Sequence, residues 1–301
     1  MSTDTGHGTQ EVDYRGNVPL WRQLSFDQRR RVKKVAFYIS LFGGLAVIIF
    51  PLFWMFSTAF RPQSQMFTRP VPLLPESVTL THFQTILTDS MFLTFYANSI
   101  IVALGVVLLT TVTSTLGGYG LTRLDIPLKK TFARTILFGY MFPPILLAIP
   151  MFIFWQRLGV IDTYVGLILA ETAISLPFSL WLMWKFFQTV PVSLEESAIT
   201  AGATRFQAFY DVALPMAKPG MIAVAVFSYA VSWNSFTMPK VLMISESKWP
   251  LTIGVYSFTQ QQHVYWGQVM AASALIILPA FVFVFFLQKY LLRGFRAGGI
   301  G

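Results

Sequence analysis

Few residues in this chain have both the type and the place to do chemistry. Glu171 is one, an ionisable group about two turns into an apolar run, where a charge is expensive and faces a cavity or a partner. Ser232-Trp233-Asn234-Ser235 is another, because an Asn at membrane depth must bond across helices or line a wet cavity. With Tyr229 these residues offer hydroxyls, an amide and aromatic faces, which hold a neutral polar solute rather than react with it. A third group, Pro191 to Pro215, is polar and lies between two apolar runs. Ser193 and Glu196 have capping-box spacing, so the Ser oxygen accepts from an early backbone N–H and the Glu reaches back to the cap. A helix from about Leu194 to Ala201 follows, and Gly202 ends it in a left-handed conformation. Thr204 and Gln207 repeat the capping pattern and start a second helix, which stops before Pro215. Glu195, Glu196 and Arg205 fall on polar faces, and Ala198, Ile199 and Phe206 are available for contact. Such a self-capped unit suits docking to something soluble; an ordinary helical hairpin beside the membrane is the plainer alternative.

No engine accompanies these groups. The chain has no Gly-Lys pair and so no P-loop, and neither His-Glu-x-x-His nor Gly-x-Ser-x-Gly occurs. It has no Cys, and its three His are scattered, which leaves no disulfide and no metal motif. Asp125, Asp162 and Asp211 read as solvated loop or interface charges. Buried ionisable groups are too few for the proton relay of a secondary transporter. The chain is therefore expected to be no enzyme and to hold no cofactor.

The elements that position these residues are apolar runs. The 301 residues are 54% hydrophobic and only 12% charged, with a mean hydropathy of +0.60; a soluble domain carries about 25% charged residues. Six spans are expected, at about 35–59, 92–121, 135–155, 164–187, 221–242 and 268–292. The second ends in Thr110, Ser114, Gly117, Gly118 and Gly120, small residues that let a neighbouring helix pack closely. The third carries Pro143, Pro144 and Pro150, which force kinks that lipid does not tolerate, so it is expected to face the bundle interior. Residues 1–34 read as a largely disordered basic arm, 60–91 and 244–267 as polar loops on one side, and 293–301 as a short tail. All but five of the 22 Lys and Arg (Arg61, Arg69, Arg157, Lys240 and Lys248) fall on the other side. That side is the cytoplasm by the positive-inside rule, and it holds both termini and the 189–219 loop. The net charge of +9 is spent there, not on nucleic acid.

Glu196-Ser197-Ala198, three residues, Gly202, nine residues, then Val212-Ala213-Leu214-Pro215 resembles the EAA loop of the membrane subunits of binding-protein-dependent ABC importers. Trp233-Asn234-Ser235-Phe236 is similar to an element of carbohydrate-type permeases. Gln288-Lys-Tyr-Leu-Leu-Arg-Gly294 looks like the ending of the maltose-permease second subunit. The resemblance covers about residues 35–300. It implies an all-α polytopic fold of the type I importer class, with 193–202 as the coupling helix. Ser193, Glu195, Glu196, Ala198, Gly202, Leu214 and Pro215 would then form the ATPase-coupling surface. Glu171, Tyr229, Ser232, Trp233 and Asn234 would line the substrate path. It further implies a homologous second permease subunit, a pair of ABC ATPase subunits that bind ATP and magnesium, an extracytoplasmic solute-binding protein, and a place in a bacterial or archaeal inner membrane. Sugar is the expected cargo; polyols, glycerophosphodiesters and polyamines are the alternatives within that class, and a secondary transporter the alternative outside it.

Overall fold

The computed structural model describes residues 26–260 and 263–297, and all regular structure among them is helical. Two compact units are present, Met1–Trp54 and Met55–Gly301. Residues 26–54 of helix α1, Phe26–Ala59, are the described part of the first unit. It begins nine residues earlier than expected, so the basic run from Arg29 to Lys34 lies on the helix rather than in an arm. The rest of the expected arm, and the last four residues of the tail, lie outside the described residues.

In the second unit a short helix α2, Thr81–Thr88, precedes α3, Ser90–Arg123. Asp89 caps α3, its carboxylate accepting from the Met91 amide at 2.8 Å, which offsets an orphan N–H at the helix start. Next come α4, Lys129–Gly139, α5, Pro144–Arg157, and α6, Tyr164–Thr189. Thr163 caps α6 through the Gly166 amide. Then follow α7, Val192–Thr200, and a helical segment α8, Arg205–Met216. The chain closes with α9, Lys218–Trp233, α10, Thr237–Leu242, α11, Leu251–Phe258, and α12, Trp266–Ala297.

Four of these helices, α1, α3, α6 and α12, are long and apolar enough to cross a membrane. The count reaches the expected six when two bent pairs each form one span: α4 with α5, bent by 91°, and α8 with α9, bent by 68°. The first bend falls at Tyr140–Pro143, because Pro143 and Pro144 cannot continue the hydrogen-bond ladder. One face of α5 packs inward, with Ala148 buried and Leu147, Met151 and Phe152 against the core, while Ile145, Leu146 and Ile149 on the other face are exposed.

The core is organised around α3 and α6. Thr110 and Ser175 bond across them at 3.0 Å, and Gly118 lies against the Met183–Trp184 backbone. The small-residue face at the end of the second span is therefore a packing surface, as its spacing predicts. Around this pair, Phe92 and Phe95 pack with Tyr229 and Trp233, and Val106 packs with Leu167 and Met238.

Candidate functional site

The Pro191–Pro215 stretch folds as a helix, a tight turn and a helix, but its first cap differs from the expected one. Pro191 stands at the N-cap, and α7 starts at Val192, ahead of Ser193. Proline lacks an N–H and its fixed φ suits a helix entrance, so the chain turns helical before a Ser193–Glu196 box could form. Ser193 is exposed, and its carbonyl accepts from the Ser197 hydroxyl at 2.7 Å. The other end matches expectation. Gly202 adopts φ +99°, its amide donates to Ile199 O at 2.9 Å, and the Ala203 amide donates to Ala198 O at 3.0 Å. Those two bonds make a Schellman motif. Thr204 and Gln207 then form a full capping box.

The second helix does not stop before Pro215. It widens into a π-turn over Ala208–Ala213 and runs on through Leu214–Met216. A wide turn ahead of a proline accommodates the missing N–H without ending the helix. Leu214 is half-buried and Pro215 exposed. The outer face of the unit carries Val192, Leu194, Ile199, Phe206 and Tyr210, all exposed, with Glu196 and Ser197 beside them.

Glu195 is not on that face. It is 5% exposed and turned inward, where Arg123 at the end of α3 donates Nε to its Oε1 at 2.7 Å. The Tyr119 hydroxyl donates to the other oxygen at 2.9 Å. Arg123 also donates to Val190 O at 2.9 Å and Phe187 O at 3.4 Å, the orphan carbonyls at the end of α6. One guanidinium thus joins two spans to α7.

A second polar cluster sits within the spans. The fifth span, expected to be continuous to Leu242, breaks after Trp233. Asn234 turns its own side chain back onto Ala230 O at 2.8 Å and ends α9, a local bond that competes with the helix. The freed Ser235 carbonyl accepts from the Thr252 hydroxyl at 2.7 Å. Beside the break, the Ser232 hydroxyl donates to Glu171 Oε2. Glu171, Asn234, Ser235 and Thr237 line a cleft of about 270 Å³ together with Pro144 and Phe236. Tyr229 and Trp233 lie elsewhere: they stack on each other at 5.4 Å between ring centroids, Tyr229 stacks on Phe283, and the Trp233 indole donates to Ile276 O at 3.1 Å. Of the five expected path residues, three come together at the cleft or its wall, and the two aromatics are core.

The residues 111–297 match the family of binding-protein-dependent transport system inner membrane components. The chain belongs to this family. The permease is 31% identical to the diacetylchitobiose uptake system permease protein DasC of Streptomyces coelicolor, over 87% of this chain and 94% of that one. It is 29% identical to the trehalose transport system permease protein SugB of Mycobacterium tuberculosis, over 90% and 98%. Its fold superposes on a crystal structure of a bacterial ABC transporter involved in import of alginate with a TM-score of 0.77, at 23% identity, covering 89% of this chain and 98% of that one. The permease is thus a multi-pass membrane transport component with the ABC importer fold.

One more polar cluster of the permease joins residues far apart in the sequence. Asp162, read as a solvated charge, accepts from the Ile244 and Ser245 amides at 3.0 Å each, from the Ser245 hydroxyl at 2.6 Å and from Lys248 Nζ at 3.2 Å. Burial alone would raise its carboxyl pKa; the bonds from Ser245, Lys248 and Ile244 outweigh that and hold it at about 2. Nearby, Asn98 donates to Ser247 O and Trp249 O and accepts from the Tyr164 hydroxyl. The 244–249 loop is therefore pinned at several points. Its partners lie more than 80 residues away, and no local pattern in the sequence announces them.

Proposed function

We propose that this permease forms one half of a membrane pair that imports a carbohydrate, driven by ATP hydrolysed on separate P-loop subunits. The observation that carries the reading is the docking helix: an outward apolar face, closed at one end by a Schellman turn and tied to two spans through Arg123. A helix held in that way passes force to the spans it is bonded to. Val192, Leu194, Ile199 and Phe206 would enter a groove on the ATPase, with Glu196 and Ser197 at the rim. Glu195 serves from inside. ATP and magnesium bind on the partner, since this chain has no P-loop. The charge distribution supports a cytoplasmic place for this unit and both termini, with a solute-binding protein on the opposite side, as the family's description implies.

The cleft supports a place on the transport path. Backbone broken at membrane depth, with Asn234, Ser235 and Thr237 beside it, does not face lipid; it is covered by protein or lines a wet cavity. Relatives named for diacetylchitobiose and trehalose support a sugar cargo. The test is reconstitution of this chain with its companion permease, the ATPase subunits and the binding protein in liposomes. Uptake of the sugar held by that binding protein, only with ATP inside and only with the ATPase present, is the expected result. Uptake without the ATPase would make it a secondary transporter.

A further inference from the structure

We propose that α1 carries a binding site for an anionic glycerophospholipid on the face that presents Arg30, Lys33 and Lys34. The inference rests on the reading of α1 as a membrane span. With Phe26, Phe37 and Tyr38 the three cations recur every three or four positions, so they share one side of the helix, and together they line a hollow of about 730 Å³. Asp27 is the one acid of α1 and is not part of that lining. Among the described residues no ion pair joins Arg30, Lys33 or Lys34 to a carboxylate. Like charges this close on a helix repel one another, and an anion from outside the chain offsets that repulsion. The spacing fixes its depth. From Arg30 to Lys34 the helix rises about 6 Å, and the stretch without charge begins at Val35. The headgroup layer on each side of a bilayer's hydrocarbon core is about 5–7 Å deep. The cations therefore fill the layer that holds lipid phosphates. The Phe37 and Tyr38 rings, 5.7 Å apart between centroids, stand one turn deeper, where acyl chains begin. Topology needs only the charge of this run; the rings at the other end of the hollow add a surface that suits a lipid and not a free phosphate. Arg31 stands about 100° round the helix from Arg30 and is not in the lining.

The chain has no cysteine, so a single thiol at Leu41→Cys, one turn beyond Phe37 on the same side, carries a fluorophore to the acyl end of the hollow. The complex, assembled with cysteine-free partners, is reconstituted in bilayers of phosphatidylcholine and phosphatidylglycerol. Quenching is measured with bromine-labelled acyl chains on one lipid or on the other. Both leaflets hold both lipids, so the result does not depend on which way the span runs. The expected result is a preference for phosphatidylglycerol of about tenfold or more, which Arg30→Gln lowers about fivefold and Arg31→Gln, the same charge lost from the neighbouring position, lowers less than about twofold. Equal quenching by the two lipids in the complex with Arg30 intact overturns the site and leaves the span reading standing. This arm needs no charge variant, so a Gln variant that fails to assemble does not rescue the proposal. Equal losses for Arg30→Gln and Arg31→Gln overturn it in favour of diffuse attraction, and loss of the preference in millimolar inorganic phosphate overturns it in favour of a phosphate site. Quenching by neither lipid places this face against protein and overturns the site and the lipid-facing span together.

Discussion

Arg123 and Glu195, 72 residues apart, meet in an ion pair of 2.6 Å with both side chains under one-tenth exposed. The pair joins the last turn of α3 to the first turn of α7. Removing one partner of a buried pair leaves an uncompensated charge and costs about 3–5 kcal/mol. Glu195→Ala is therefore expected to loosen α7 locally while the spans stay folded, because Arg123 keeps its bond to Val190 O. Substrate-stimulated ATP hydrolysis by the assembled complex should fall at least tenfold. Glu195→Gln keeps the shape and an acceptor but not the charge, and should lose an intermediate amount. Equal activity of the Ala variant and the native complex would remove the pair from the coupling path.

Gly202 makes a different prediction because its constraint is conformational rather than steric. A Cβ built on it meets nothing within 4 Å, yet φ is +99°. Side chains should therefore be tolerated in order of their left-handed cost, with Asn mildest, Ala worse by about 1 kcal/mol and Val worst. Gly202→Asp adds a negative charge to this exposed turn beyond its conformational cost, and for that reason is expected to abolish stimulated hydrolysis without unfolding the spans. A series ranked by side-chain volume instead would point to a tight groove on the partner as the cause.

This contrast between Gly202 and Glu195 is also the contrast between what the sequence discloses and what it does not. Gly202, Thr204 and Gln207 act on atoms three or four residues away, so their spacing announces the turn and the second cap. The family resemblance adds the docking role to that geometry. Glu195 reads as a polar-face residue because its partner lies on another span, and no local pattern encodes a 72-residue pairing. The break at Asn234 is hidden for a related reason: no Gly or Pro marks it, and the side chain that ends the helix is its own. Pro215 misled in the other direction, since a π-turn several residues upstream lets the helix run through it. The six spans are legible from hydropathy, and the bend at Tyr140–Pro143 from the prolines of the third span.

Asp162 gives a prediction in pH. Its carboxyl pKa is lowered from the ordinary 3.8 to about 2 in the folded loop, so the carboxylate form is favoured by folding. The stabilisation is fully present above the unfolded value, near 4, and is lost as pH falls through about 2. Between pH 4 and 2 the amides of Ile244 and Ser245 should lose hydrogen-exchange protection in step with protonation of Asp162. Asp162→Asn should show weakened protection already at neutral pH, with little further change on acidification. Full protection in that variant would mean that Asn98 and Tyr164 hold the loop without it.

The close approach of α3 to α6 sets the base on which Arg123 stands; Gly117 and Gly118 grade it, and Gly120, which meets only Leu124 of its own helix end, is the control. At Gly118 an added Cβ would come within 2.8 Å of Met183 Cβ and the Trp184 backbone nitrogen, which cannot move without shifting α6. At Gly117 the obstacle is the end of the Leu180 side chain at 2.5 Å, which can rotate away, and at Gly120 it is Leu124 Cδ1 at an ordinary 3.7 Å. Overpacking of a tight contact costs about 1–3 kcal/mol. Gly118→Ala should therefore lower the thermal midpoint of the purified complex clearly, Gly117→Ala slightly and Gly120→Ala not at all. Because Arg123 lies little more than one turn beyond Gly118, the same variant should also weaken stimulated ATP hydrolysis, and Gly120→Ala should not. A Gly118→Ala complex as stable and as active as the native one would mean that α3 and α6 lie farther apart in the assembled transporter, and that the ion pair must then be held by α7 alone.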